Sequence, residues 1–368
     1  MPPHPPHPHP HSAPAPAPAP ACPILLSWRH SSLYTSIYCL FFLRVSSQVL
    51  LRMPSQMAIQ VVARVMIVVT FVALAVVNML GSSNVVCGAS NATVSREYPT
   101  PITPSGYAFS IWGLIFFLQA VFSVCALTPV ISNRTVLCVG LPLVAAWWLE
   151  ISWTFLFDCR LIVAQSMAIV GSLVAFVAAY VMAWWMLPDT SMVPVVIRKV
   201  GAIDPETEPA PLEWLPKYRN FDEAERAGTP VKSWFVWLEI AVTFVPTSIN
   251  TAWVLAAAQI GFMVALTPAP NDDGTTNMIS DAWGVIAILI AAAGACAAAV
   301  IMHDPFFPAT VAWAVVAVEV AQGSRSDAIL WTGIVALVLA AAAGAYALLR
   351  RGLQLWNWHT QRVQYSAI

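Results

Sequence analysis

The sequence predicts an all-α fold, a polytopic transmembrane helix bundle of about eight spans, and three observations carry that prediction. The composition suits a chain dissolved in lipid: 59% of the 368 residues are hydrophobic and only 10% are charged, whereas soluble domains carry about 25% charge. Apolar runs close to the length needed to cross a bilayer, about 20 residues, recur eight times. The connecting loops also divide unequally in charge. With the N-terminus inside, all 17 lysines and arginines except Arg96, Arg160 and Arg325 fall on the inner side. Such a bias places the basic loops in the cytoplasm, and an even number of spans then puts both termini there. A net charge of −1 gives no electrostatic case for nucleic acid. The seven cysteines form no CxxC pair, which argues against a metal ribbon or dithiol motif.

Residues 1–58 read as a tail. Its first 22 residues are a Pro/Ala/His tract in which His4, His7, His9 and His11 suggest a metal site less well than disorder. Leu33–Leu43 is apolar but too short to span. Met53 precedes an ordinary membrane N-terminus, so residues 1–52 are expected to be dispensable. Val61–Leu80 is the first span. A signal peptide cut near Gly88–Ser90 is the alternative, but a retained span makes the charge bias hold for the whole chain. The following outward loop carries the glycosylation sequon at Asn91. A second sequon at Asn133 falls on the inner side, where it is silent. Cys87 and Cys159 share the outer side; a disulfide and two free thiols are both open.

The stretch Tyr98–Phe117, YPTPITPSGYAFSIWGLIFF, is the centre of the reading. Pro99, Pro101 and Pro104 lack N–H groups and bias their predecessors to extended backbone. Gly106–Leu127 then forms the second span, with Phe109, Trp112 and Phe116 on one helical face. Val136–Phe157 is the third. It holds Glu150 beside Trp147, Trp153 and Phe157, and a carboxyl at that depth is expected to face the bundle interior. Leu161–Leu187 is the fourth span, ending in the interfacial pair Trp184 and Trp185. The polar stretch 188–232 reads as a cytoplasmic loop without a nucleotide or catalytic motif. Val236–Leu266, the fifth span, is interrupted by Pro246 and places Asn250, Trp253 and Ala257 on one face. Glu239 lies at its inner boundary, expected to reach water.

Residues 268–350 add three helices, Ala282–Met302, Phe306–Ala321 and Ala328–Leu349, followed by a cytoplasmic tail, 351–368. Strings of Ala and Gly in the first and last of them are expected to be close-packing surface. His303-Asp304-Pro305 marks a tight turn, for which a proton relay is the weaker reading.

Three segments resemble the tryptophan-rich sensory protein/translocator protein (TspO/MBR) family. TPSGYAFSIWGLIFF resembles its second-span signature, WWLEISWTFLFDCRLIVAQ its third-to-fourth span pattern, and VPTSINTAWVLAAAQIGF its fifth. The resemblance covers about 59–267, with further C-terminal spans as in longer relatives. It implies a five-helix core that binds porphyrin, haem or sterol-like ligands beneath the first loop, through Pro104, Phe109, Trp112, Trp153, Phe157, Pro246 and Trp253. The chain departs from the pattern at Phe116 (usually Tyr), Glu150 (usually Asn) and Gly261 (near a usual Asn), and in its long inner loop. The candidate ligand-binding set is completed by Phe116, Glu150 and Asn250, the last two orienting a polar edge of the ligand. Sensing or transport of such a ligand is the expected function, with no catalytic residues and no cofactor beyond a porphyrin or haem ligand. Proton-coupled secondary transport through Glu150, Glu239 or Glu319 is the alternative. The expected partners are membrane lipid and a lipophilic small molecule, with a second copy of the chain left open.

Overall fold

A computed structural model describes residues 55–186, 233–268 and 278–366. The His-rich tract, the segment before Met53 and the inner loop 188–232 lie outside the described residues. Among these there are nine helices and no strand. The protein is therefore the all-α polytopic bundle that the composition implies. From Ile59 onward the chain packs as one unit.

Helix α1 spans Ser55–Gly81, and the short α2 spans Asn91–Glu97, capped by the Ser90 hydroxyl. A 3-10 turn, Gly106–Ser110, leads into α3, Ile111–Ala126. Helix α4, Leu141–Asp158, is entered through a helical turn at Asn133–Thr135 and a π-helical stretch at Val136–Gly140. Pro142 supplies the reason: it cannot donate to the carbonyl four residues back, and the helix widens there. Helices α5, Ile162–Trp185, and α6, Ser233–Leu266, complete the first half. Helices α7, Asp281–Met302, α8, Phe306–Gln322, and α9, Asp327–Ser366, form the second.

All eight expected spans are helical. Seven are long and apolar enough to cross a membrane, whereas α8, with 17 residues, falls short of that length. The sequence also places the end of α9 too early. It continues as helix through residues read as a tail, to Ser366.

Helix α6 is central: it packs on α3, α5, α7 and α8. The core runs through the bundle from Ile67, Phe122 and Trp147 to Phe176, Val254, Ala295 and Ala340. The alanine strings behave as read. Ala299 of α7 meets Ala343 and Ala347 of α9 in a cluster of small side chains, which lets backbones approach where lipid gives helices no hydrophobic incentive to associate.

Contacts between loops fix which connections share an end. At one end Cys87 and Cys159 form a disulfide with a Cα separation of 5.2 Å, settling the question left open by sequence. Beside it Arg160 clamps Glu97 with two bonds of 2.7 Å, which hold the Glu97 carboxyl below its usual range. Arg325 pairs with Asp281 at the same end. At the opposite end the Arg64 guanidinium donates to the carbonyls of Ala126, Thr128 and Ile131 and to Asn133 Oδ1. Glu239, partly exposed at the inner boundary, gains protein partners there as well. Its carboxylate accepts from Ser132 N at 2.9 Å and Thr135 Oγ1 at 2.6 Å, holding the entry to α4.

The proline-rich first loop packs against the C-terminal helices. Thr103 O accepts from Gln322 Nε2 at 3.0 Å, and Ser105 N donates to Ala317 O at 2.9 Å. Gly284 of α7 makes room for it: a Cβ there would stand 2.8 Å from Pro101 Cβ and 2.7 Å from Ile329 Cδ1. Gly284→Val should therefore lower stability by about 1–3 kcal/mol through overpacking. A fall in the thermal unfolding midpoint of the detergent-solubilised chain is the expected reading, and an unchanged midpoint would contradict the docking of the loop on α7.

Candidate functional site

The aromatic face of α3 meets α6 and α8. Trp112 stacks on Phe116 with centroids 5.5 Å apart, as residues four apart on a helix can. Trp253 of α6 then stands edge-on to both Trp112, at 6.1 Å, and Phe109, at 6.2 Å. Ala108, Ile111, Ile115, Ile249 and Ala317 pack around these rings. Helix α8 closes the side: Trp313 donates its indole N–H to Ala108 O at 3.1 Å and meets Tyr107 edge-on. Trp313 is a member of this wall that the sequence reading missed. Its place in a span only 17 residues long gave no signal.

The rings expected from α4 stand apart from that group. Trp153 stacks on Phe157 at 5.4 Å. Both pack with Ala89, Val94 and Val264 near the disulfide end, and Trp153 gives its indole N–H to Gln165 Oε1 at 3.0 Å. Of the candidate residues, Phe109, Trp112, Phe116 and Trp253 are thus brought together, while Trp153 and Phe157 form a second aromatic group. The i, i+3, i+7 spacing identified ring faces correctly but carried no information on which neighbour each face meets.

The polar candidates are deeply buried. Glu150 is 3% exposed and Asn250 is 1% exposed. Both Glu150 oxygens and both Asn250 amide atoms are without a hydrogen-bond partner among the described residues, as are the indole N–H groups of Trp147 and Trp253 and the amide of Gln119. Buried polar groups are ordinarily paired, and an unpaired one costs about 1–3 kcal/mol. Asn250 lies one turn before Trp253 on α6, and its amide is buried without a partner among the described residues. Pro246, one turn further, is buried within the continuous helix. Pro104 sits half-buried in the first loop, two residues before the turn that starts the aromatic face.

Asn91 opens α2, and its Oδ1 is buried. The side chain therefore turns into the packing at the disulfide end. Glu319 packs over Gly333 of α9, where a Cβ would overlap the carboxylate, and both its oxygens are buried and unpaired among the described residues.

A second polar centre lies at the turn between α7 and α8. Asp304, fully buried, accepts from the Tyr180 hydroxyl, from Ser248 Oγ at 2.6 Å and from Phe306 N at 2.8 Å. Tyr180 is sandwiched between Phe244 at 5.5 Å and Phe307 at 5.7 Å. His303, in left-handed backbone with φ 51°, turns away toward Gln354. The two side chains have separate partners, so no His–Asp relay forms. The centre joins α5 and α6 to the C-terminal helices, which gives it a structural role.

The family model described as TSPO-like protein matches residues 64–346. The chain belongs to this family, and the match takes in the core, α7, α8 and the first half of α9. Neither curated proteins nor solved structures gave a match.

Asp304→Ala should destabilise the fold by about 3 kcal/mol, because it leaves buried hydroxyl donors without an acceptor. Tyr180→Phe should cost about 1 kcal/mol, since it removes one donor and keeps the stacked ring. Thermal unfolding of both variants in detergent checks the order. Equal stability of Asp304→Ala and the native chain would contradict a tying role.

Proposed function

We propose that this membrane protein binds a flat or rigid lipophilic ligand, of the porphyrin, haem or sterol-like kind, inside the helix bundle, and that it serves in sensing or transport of that ligand without transforming it. The single observation that carries the reading is the pairing of Trp112 and Trp253, with Phe109 and Phe116 beside them, in which the buried Trp253 indole N–H has no partner among the described residues. Rings offer large apolar area and stacking to a rigid guest. A few convergent polar groups orient it. The Trp253 indole and Asn250, one turn away on α6, are the candidates for that part, whereas Glu150 lies on α4 with the second aromatic group. The resemblance in the second-span segment supports the same ligand class.

The disulfide supports an orientation as well. A disulfide persists in an oxidising compartment, and its end carries Arg96, Arg160 and Arg325, the poorly basic side. The opposite end, where α1 starts and the lipid-suited part of α9 ends, then faces the cytoplasm.

Titration of the purified chain with protoporphyrin IX, followed by tryptophan fluorescence, tests the ligand reading. Saturable quenching is expected, with affinity about tenfold weaker in a Trp112→Ala, Trp253→Ala double variant, as for truncated aromatic anchors. Trp153→Ala should weaken binding less, because that ring belongs to the other group. Unchanged binding in the double variant would remove the site from the account.

One observation favours a second reading. Glu150, buried near the middle of its span without a partner, suits a proton carrier in a secondary transporter. Solute uptake into vesicles that follows an imposed pH gradient and disappears in Glu150→Gln is the expected result on that reading. Gradient-independent behaviour would leave Glu150 as a ligand or packing group.

A further inference from the structure

The end of the bundle opposite the disulfide holds an open pocket of about 530 Å³, within the range of small-ligand sites, about 300–1,000 Å³. It lies between α1 and the connection from α3 to α4. Arg64, Leu127, Thr128, Ser132, Asn133 and Arg134 are among the residues that line it. Two guanidinium groups, two hydroxyls and an amide thus border one space, together with the exposed apolar side chain of Leu127.

The two arginines are held differently. Arg64 is fixed by its bonds to the carbonyls of Ala126, Thr128 and Ile131 and to Asn133 Oδ1. Those acceptors are neutral, so they orient the guanidinium without cancelling its charge. Glu239 is close enough to act on that charge, and one of its oxygens already accepts from Ser132 N and Thr135 Oγ1. It offsets one of the two positive charges. Arg134 makes no hydrogen bond or ion pair among the described residues. The pocket therefore keeps one net positive charge, on a side chain that no protein group there engages.

The surroundings point to lipid as the source of a matching anion. Arg134 opens the span Asn133–Asp158, and Arg64 lies two turns into the span Met57–Gly81. Both sit where hydrocarbon gives way to headgroups. Val61 and Val65, beside Arg64 on α1, are exposed, so an acyl chain meets an apolar face next to the pocket. The orientation proposed above also turns this end toward the cytoplasmic leaflet, which is the anionic one.

We propose that this pocket seats the phosphate headgroup of an anionic phospholipid, with Arg134 as its charged contact. A phosphodiester carries one negative charge, which matches the net charge of the pocket, and guanidinium–phosphate hydrogen bonds are among the strong ones. Bound there, the lipid joins α1 to the α3–α4 connection and adds to the tie that Arg64 makes. The site lies at the opposite end from the disulfide, apart from the ring-lined region, and does not depend on what binds there.

The test is thermal unfolding of the full-length chain in nanodiscs of phosphatidylcholine alone and of phosphatidylcholine with increasing phosphatidylglycerol. Binding to the folded state alone raises stability with ligand concentration. The midpoint should therefore rise by several degrees with phosphatidylglycerol. In Arg134→Gln the content needed for half of that rise should grow about fivefold, as for the loss of one basic side chain near an anionic surface. Because Arg134 ties no other element down, this variant should fold like the native chain in phosphatidylcholine. Arg350→Gln, which removes an exposed arginine of α9 outside the pocket, should keep the native response. Equal midpoints in both kinds of disc, a native response in Arg134→Gln, or an equal loss in Arg350→Gln would overturn the proposal. Inorganic phosphate added to the chain in detergent should leave the midpoint where it is; a matching rise there would make the occupant a free phosphate and overturn the lipid assignment. Porphyrin quenching should be the same in Arg134→Gln as in the native chain, so this site and the ring-lined one fail separately.

Discussion

The architecture depends on one buried carboxylate that holds two sets of helices together. Lipid offers helices no apolar reward for associating, so specific contacts must do it. Asp304 sits in the turn between α7 and α8 and takes hydrogen bonds from Tyr180 of α5 and Ser248 of α6. Its carboxylate also accepts from the Phe306 backbone N–H, which starts α8 at the same point. The C-terminal helices are thereby fixed against the core at one end. At the other end they receive the first loop through Gln322 and Ala317. With both ends secured, α8 packs on α6 and on the turn that leads into α3, and completes the wall beside Trp253.

This arrangement changes the meaning of the C-terminal half. By sequence it was an addition to a five-helix core, readable as generic packing surface. In the structure it supplies Trp313 to the aromatic wall, Gly284 to the seat of the first loop and Asp304 to the central tie. The family match extends across it to residue 346, in agreement with a single integrated bundle.

Much of the fold was legible because lipid imposes a simple code. Any run such as Ala282–Met302 must satisfy its backbone internally, and helix is the direct way to do so. The boundaries of α5 and α7 therefore follow from composition to within two residues, while α1 starts six residues before the expected Val61. The site was legible only in part. Spacing shows that Phe109, Trp112 and Phe116 share a face, and the structure adds that Trp253 meets it. Spacing does not reveal that Trp153 and Phe157 stack on each other near Val264, because helix rotation and tilt are set by partners distant in the chain. Glu239 shows the same limit. Its position at a span boundary suggests contact with water, and the spacing does not reveal that Ser132 and Thr135, more than a hundred residues earlier, both bond one of its carboxylate oxygens.

The length of α9 has a mechanical outcome. Its 40 residues make a rod of about 60 Å at 1.5 Å per residue, roughly twice the hydrocarbon thickness. The segment suited to lipid stops at Gln354, and the helix carries on to Ser366, about 18 Å further. About three further turns thus extend past the lipid-suited segment, like a mast that outruns its deck, and are free of the requirement for an apolar surface.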